Sequence, residues 1–99
     1  MLVKQIYELL EQAELVETLE EYSTQWLNKH KTTASYLIHK NRDLSINVKL
    51  NCLSNIKNKI QNTNTSSTFN TINSHYLINL QKAEGLVKGD IKRKFNINL

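Results

Sequence analysis

The stretch EEYSTQWLNKHKTTASYLIH, residues 20–39, has two short helix-like patterns on either side of polar residues that tolerate turns. Counted from its first residue, the fifth position must be small because two helices cross closely there, and it holds Thr24. The ninth position lies in a tight turn with a left-handed backbone, which Asn28 adopts more readily than most residues. The apolar residues Ala34 and Leu37 stand where the second helix must face the core. This spacing predicts a helix-turn-helix unit.

Local signals outside this stretch indicate where the flanking helices begin and end. Thr18 is followed three residues later by Glu21, the capping-box spacing that satisfies unpaired amides at a helix start. After the second helix, the sequence Asn-Arg-Asp at residues 41–43 predicts a turn. Ser45 is expected to cap the start of the next helix. The two helices of the unit are therefore bounded on both sides by residues suited to helix ends.

The run TTASYLIHKNRDLSINVKLNCLSNI, residues 32–56, resembles the second half of the Cro/repressor class of small phage and plasmid regulators. In that class a recognition helix is followed by a polar basic turn, a serine cap and a leucine-rich helix. The segments YS, WLN and SYL, which begin at residues 22, 26 and 35, also resemble small uncharacterised helix-turn-helix proteins of phages and mobile elements. The resemblance covers about residues 5–60. It departs from the class pattern at three positions. The class usually has an apolar residue where this chain has Lys29, a Gly near Lys40 and a Pro where this chain has Leu44.

The resemblance implies which residues contact DNA, because the second helix of such a unit enters the major groove with its N-terminal residues toward the base edges. The residues that this pattern places at base edges are Lys31, Thr32, Thr33, Ser35 and Tyr36. The cations that it places at phosphates are Lys40 and Arg42, and we expect Lys29 and Lys49 to bind phosphates as well. Hydroxyl groups bond to bases or to the backbone, whereas Lys and Arg supply most of the salt-dependent affinity. The alternative interpretation of residues 31–36 is a solvated helix start without a ligand.

The charge of the chain is divided unevenly along its length. Residues 1–21 carry six Glu and one Lys, a net charge of −5, whereas residues 22–99 carry twelve Lys or Arg and three acids, a net charge of +9. A basic region of this kind is typical of nucleic-acid binding, and it also occurs on solvated helical faces. The six glutamates are expected to form a solvated helix face rather than an acid/base pair or a cation site.

The apolar periodicity predicts an all-α fold in which a four-helix domain, residues 1–60, carries a C-terminal helical extension. The four helices are expected at residues 3–13, 19–27, 33–40 and 46–60. The uncharged polar residues 61–71 predict a linker. Residues 72–99 predict a fifth helix that ends near Gly85, followed by a short basic turn. A sparse apolar line in this extension predicts a homodimer interface formed by Ile72, Tyr76, Leu80 and Val87.

Several functional classes are excluded by what the sequence lacks. The single cysteine, Cys52, excludes an internal disulfide, and its spacing from the three histidines is not that of a zinc site. Trp26 shares a helix face with Leu19 and Tyr22 and is expected in the core rather than at a ligand. The sequence has no phosphate loop, catalytic triad pattern or cofactor fingerprint, so we expect neither an enzyme nor a cofactor. No secretory or membrane-spanning segment is visible, and a cytoplasmic location is expected.

The sequence thus favours a DNA-binding transcriptional regulator that reads double-stranded DNA as a dimer through its third helix. The lack of Gln, Asn and Arg inside that helix limits bidentate base contacts. The alternative is a phage or mobile-element inhibitor or adaptor that keeps the helix-turn-helix fold and binds a host protein. The acidic N-terminal helix favours this alternative, whereas the basic turn after the third helix favours DNA.

Overall fold

The computed structural model describes the backbone of residues 2–64 and 74–96, and the side chains of residues 2–62 and 77–96. Over these residues the chain is helical and contains no strand, which confirms the all-α class. The α-helices are α1 (Leu2–Gln12), α2 (Leu19–Glu21), α3 (Thr33–His39), α4 (Ile46–Asn64) and α5 (Ser74–Phe95). A π-helical segment, Tyr22–Trp26, continues directly from α2.

The helix ends follow the local chemistry that the sequence predicts. The Thr18 hydroxyl accepts a hydrogen bond from the Glu21 amide at 3.2 Å, and the Ser45 hydroxyl accepts one from the Val48 amide at 3.4 Å. At the end of α3, Asn41 has a left-handed backbone with φ of 54°. The Arg42 amide then donates to the Leu37 carbonyl at 2.8 Å. This bond satisfies a carbonyl at the end of α3, and Asn41 takes the left-handed position that glycine usually occupies there.

The π-helical segment adds one residue between the start of α2 and the turn that follows. The Leu27 amide donates to the Tyr22 carbonyl at 3.1 Å, a spacing of five residues instead of the four of an α-helix. The Lys29 amide reaches still further back, to the Ser23 carbonyl at 2.9 Å. Side chains before and after this wide turn are therefore out of register by one residue relative to a continuous α-helix.

Helix α5 packs against α1 and α4 and completes their hydrophobic core. It contributes the buried side chains Leu80, Ala83, Val87 and Ile91. The other major core side chains are Val3, Ile6 and Leu10 from α1, Cys52, Leu53 and Ile56 from α4, and Tyr22, Leu27 and Ala34 from the segments between them. The described part of the predicted C-terminal extension, residues 77–95, therefore packs into the same core as residues 2–62.

This packing also corrects the expected dimer interface. Leu80 and Val87 have no exposed surface, because they lie inside the chain's own core. They are not available to a second copy in this fold. Ile72 and the side chain of Tyr76 lie outside the described residues.

The two long helices extend beyond the limits expected from sequence. Helix α4 continues to Asn64, through the first four residues of the predicted linker, and residues 65–71 of that linker lie outside the described part of the chain. Helix α5 passes through Gly85 and Gly89 to Phe95. Glycine lowers helix stability but does not prevent a helix whose opposite face is buried, so the predicted end near Gly85 is wrong.

A cluster of charged side chains around the buried Lys49 joins α5 to α4 and to the loop that follows α3. Lys49 is only 1% exposed, and its Nζ lies 2.8 Å from Asp43 Oδ2 and also pairs with Asp90. Lys94 Nζ lies 2.7 Å from Asp43 Oδ2 and 3.2 Å from Asp90 Oδ1. The Phe95 ring covers the Lys49 ammonium at 5.3 Å from the ring centroid. We call Asp43, Lys49, Asp90 and Lys94 the ion cluster.

Replacing Lys49 by Met should lower the free energy of unfolding by about 3 kcal/mol, because it leaves Asp90 buried without its main partner. The double variant Lys49→Met/Asp90→Leu should recover most of this loss, since an apolar pair of similar volume avoids the desolvation of both charges. Urea unfolding followed by circular dichroism measures both values. Losses that simply add in the double variant would contradict the coupling between these two side chains.

Candidate nucleic-acid interface

The Ser23 side chain links the π-helical segment to the start of α3 by a hydrogen bond. Its buried hydroxyl donates to the Leu19 carbonyl at 2.9 Å and accepts from the Ala34 amide at 2.9 Å. Ala34 has no exposed surface, so two small residues meet where the segments cross. A single hydroxyl thus satisfies one backbone group on each side of the contact.

The small residue at this crossing is Ser23 rather than the predicted Thr24. Thr24 is exposed, and its hydroxyl donates to the Glu20 carbonyl within its own helix at 3.0 Å. The physical reason is the extra residue of the π-helical segment, which moves the crossing position one residue further from the turn. Spacing rules written for a continuous α-helix therefore select the neighbouring residue.

Asn55 of α4 forms hydrogen bonds with the turn before α3. Asn28 has the predicted left-handed backbone, with φ of 56°. The Asn55 amide nitrogen lies 2.9 Å from the Trp26 carbonyl and 3.2 Å from Asn28 Oδ1. It also approaches the Gln25 carbonyl at 3.3 Å. Sequence reasoning missed Asn55, whose only signal is an amide side chain beside the apolar face of α4.

Helix α3 presents its N-terminal part to solvent. Lys31, Thr32, Ser35 and Tyr36 are exposed, and Tyr36 retains 51% of its accessible surface. Thr33, which was also assigned to base edges, is half-buried. The Thr32 hydroxyl lies 3.0 Å from His30 Nδ1, and the Ser35 hydroxyl donates to the Thr32 carbonyl at 3.1 Å. Four of the five predicted base-edge residues therefore share the exposed surface at the start of α3.

Exposed cations lie on both sides of this surface. Lys29 precedes α3, and Lys40 and Arg42 follow it, on either side of the left-handed Asn41. No acidic residue occurs between residues 22 and 42. Within the described residues, these three cations and Lys31 form no salt bridge. Their charge is therefore uncompensated, and we call the exposed α3 residues together with these cations the basic surface.

Lys49 does not belong to the basic surface, which corrects its expected place at a phosphate. Its ammonium is buried in the ion cluster, where Asp43 and Asp90 already compensate its charge. Burial alone would raise the pKa of Asp43, but hydrogen bonds from Lys49, Lys94 and the Leu44 amide outweigh it and lower that pKa. Asp43 is therefore ionised near neutral pH and pairs with Lys49 and Lys94. It directly follows Arg42 in the chain but forms no salt bridge with it among the described residues.

The remaining candidate residues lie in the core. Trp26 is 6% exposed, which confirms its predicted core position. Cys52 is fully buried, and burial raises the pKa of its thiol to about 12.

Within residues 2–64 and 74–96, no group of three or more His, Cys, Asp or Glu side chains is arranged to hold a metal ion. In the same residues, no helix is long and apolar enough to cross a membrane.

A protein-family model matches most of the chain. The sequence model described as "Family of unknown function (DUF6626)" matches residues 3–94, which covers all the helices described above except the first residue of α1 and the last residue of α5. No curated protein and no solved structure matches the chain significantly.

The contact between the π-helical segment and α3 can be tested with two neighbouring variants. Ser23→Ala should lower the free energy of unfolding by about 1–3 kcal/mol, because the buried Ala34 amide loses its acceptor. Thr24→Ala is the matched control and should change it by no more than about 0.5 kcal/mol, as expected for an exposed site. Chemical denaturation gives both values. Equal losses at the two positions would show that the Ser23 hydroxyl does not hold α3.

Proposed function

The chain belongs to DUF6626, a family of unknown function, and we propose that it is a DNA-binding protein that inserts α3 into the major groove. The observation that carries this proposal is the basic surface: an exposed helix start, free of acidic residues, with uncompensated cations before and after it. DNA phosphates flank the major groove on both sides, so this arrangement matches a helix seated in that groove.

We infer that α2, the π-helical segment and α3 act as a helix-turn-helix unit. The Ser23 hydroxyl and the Asn55 amide support this role, because they fix α3 relative to the segment before it. A reading helix must be rigid to place side chains at base edges. The buried Ala34 and half-buried Leu37 anchor the inner face of α3, which leaves the opposite face for DNA.

In this proposal, sequence is read by Lys31, Thr32, Ser35 and Tyr36, with Thr33 at the edge of the contact. Hydroxyls donate to and accept from base edges, and an aromatic side chain packs against thymine methyl groups. Phosphates are bound by Lys29, Lys40 and Arg42. A regulatory role in transcription follows from the resemblance to the Cro/repressor class. The proposal concerns one chain, because the buried Leu80 and Val87 remove the dimer contacts expected from sequence.

The alternative function, binding of a host protein, is favoured by one separate observation. An open groove of about 470 Å³ lies between α1 and α5, with Leu9 and Leu86 among its lining residues. The exposed Glu8 borders the same groove. This surface offers apolar contact beside a polar rim that includes Glu8 and Lys82, as a protein interface does. The absence of DNA affinity in the first experiment below would favour this alternative.

Neutralising the phosphate-binding cations provides the first test of DNA binding. The variant Lys40→Gln/Arg42→Gln should bind all duplex sequences more weakly and reduce the slope of log affinity against log salt by about 2. Fluorescence anisotropy with a labelled duplex at several salt concentrations measures this slope. The control Lys57→Gln/Lys82→Gln removes the same charge from exposed sites on α4 and α5 and should keep the wild-type slope. Equal changes in both variants would indicate an effect of net charge alone.

Removing the hydroxyls of α3 provides the second test. Thr32→Ala/Ser35→Ala should relax sequence preference, with a loss on the order of 1–3 kcal/mol for each base contact removed. Thr32 makes no capping bond to the helix, so the helical content should not change. Selection from a random duplex library compares the preferences of wild type and variant. An unchanged preference in a folded variant would remove these hydroxyls from base readout.

A further inference from the structure

The last turn of α5 lies directly beside the loop that carries part of the basic surface. Lys94 Nζ is 2.7 Å from Asp43 Oδ2, and Asp43 immediately follows Arg42 in the chain. The residues before Lys94 are Lys92 and Arg93, and both are exposed. Lys92 and Arg93 thus lie in the same last turn of α5 that contacts the loop after Arg42, although half the chain separates them from that loop in sequence.

The ion cluster makes this juxtaposition part of the fold. Lys49 is buried between Asp43 of the loop and Asp90 of α5, so the loop and the helix share one buried ammonium. The Phe95 ring lies over the same ammonium. A displacement of the end of α5 from the loop would leave Asp90, which is 4% exposed, without its buried partner.

The charges of Lys92 and Arg93 are not compensated by this cluster. Its two carboxylates, Asp43 and Asp90, are already balanced by Lys49 and Lys94. Arg93 Nε donates to the Gly89 carbonyl at 3.2 Å, and its terminal guanidinium nitrogens remain as donors. Cations near a helix C-terminus also stabilise the helix dipole, but this effect is local and does not require a ligand.

We propose that Lys92 and Arg93 form a second phosphate-binding segment, which continues the contact of Lys40 and Arg42 along the DNA backbone. This inference rests on the proposed function and extends it to α5. The partner is double-stranded DNA, because an uncompensated positive surface on two adjoining elements matches a continuous line of phosphates. The segment adds affinity but no sequence information, since phosphate contacts are independent of sequence.

The test compares salt dependence in matched charge variants of the full chain. Lys92→Gln/Arg93→Gln should reduce the slope of log affinity against log salt by about 2, as should Lys40→Gln/Arg42→Gln. The fourfold variant should lose about 4 from the slope. The charge-preserving variant Lys92→Arg/Arg93→Lys should keep the wild-type slope, as should Lys57→Gln/Lys82→Gln. Circular dichroism monitors the helical content of each variant, and Lys92→Gln alone, expected to lose about 1, replaces any double variant that unfolds.

The outcomes separate this inference from the proposed function. An unchanged slope in Lys92→Gln/Arg93→Gln, together with a reduced slope in Lys40→Gln/Arg42→Gln, would remove α5 from the DNA contact and leave the role of α3 intact. A wild-type protein that binds no duplex at low salt would overturn both. An equal loss in Lys57→Gln/Lys82→Gln would reduce the effect to net charge and also refute the segment.

Discussion

The burial of the Lys49 ammonium links the loop after α3 and the end of α5 to α4. An ammonium group loses its hydration when it is buried, and only paired carboxylates with good geometry offset that cost. Asp43 and Asp90 supply them from the loop after α3 and from α5. The loop and α5 must therefore stay against α4 together. Because this loop also carries Arg42, the ion cluster orients one side of the basic surface as well as completing the fold.

The parts of the fold that the sequence predicted are those determined by neighbouring residues. The caps at Thr18 and Ser45 and the left-handed Asn28 depend on interactions within a few positions, and all three are confirmed. The π-helical segment was missed because spacing rules assume a continuous α-helix, and this moved the crossing residue from Thr24 to Ser23. The course of α5 depends on the distant core of α1 and α4, which its glycines and sparse apolar residues did not indicate.

The candidate site shows the same limit in its charged residues. Lys40 and Lys49 have the same side chain, and the sequence predicts that both bind phosphates. Lys40 is exposed without a salt bridge among the described residues, whereas Lys49 is buried between two carboxylates. The two lysines differ because Asp90, which is distant in sequence, pairs with Lys49 when α5 packs against α4. Exposure of a cation is thus a property of the tertiary fold, and position in a motif does not determine it.

The arrangement of charge also bears on how a polyanion would approach the chain. The acids outside residues 8–21 are all paired: Asp43 and Asp90 in the ion cluster, and Glu84 with Lys88 at 3.8 Å. The cations of the basic surface, and Lys92 and Arg93 of α5, form no salt bridge among the described residues, while the glutamates of the first 21 residues repel phosphate. Such a separation of charge steers and orients a charged partner before contact. In the proposed complex, the cations before and after α3 thus attract the phosphates and bring this helix toward the DNA before contact.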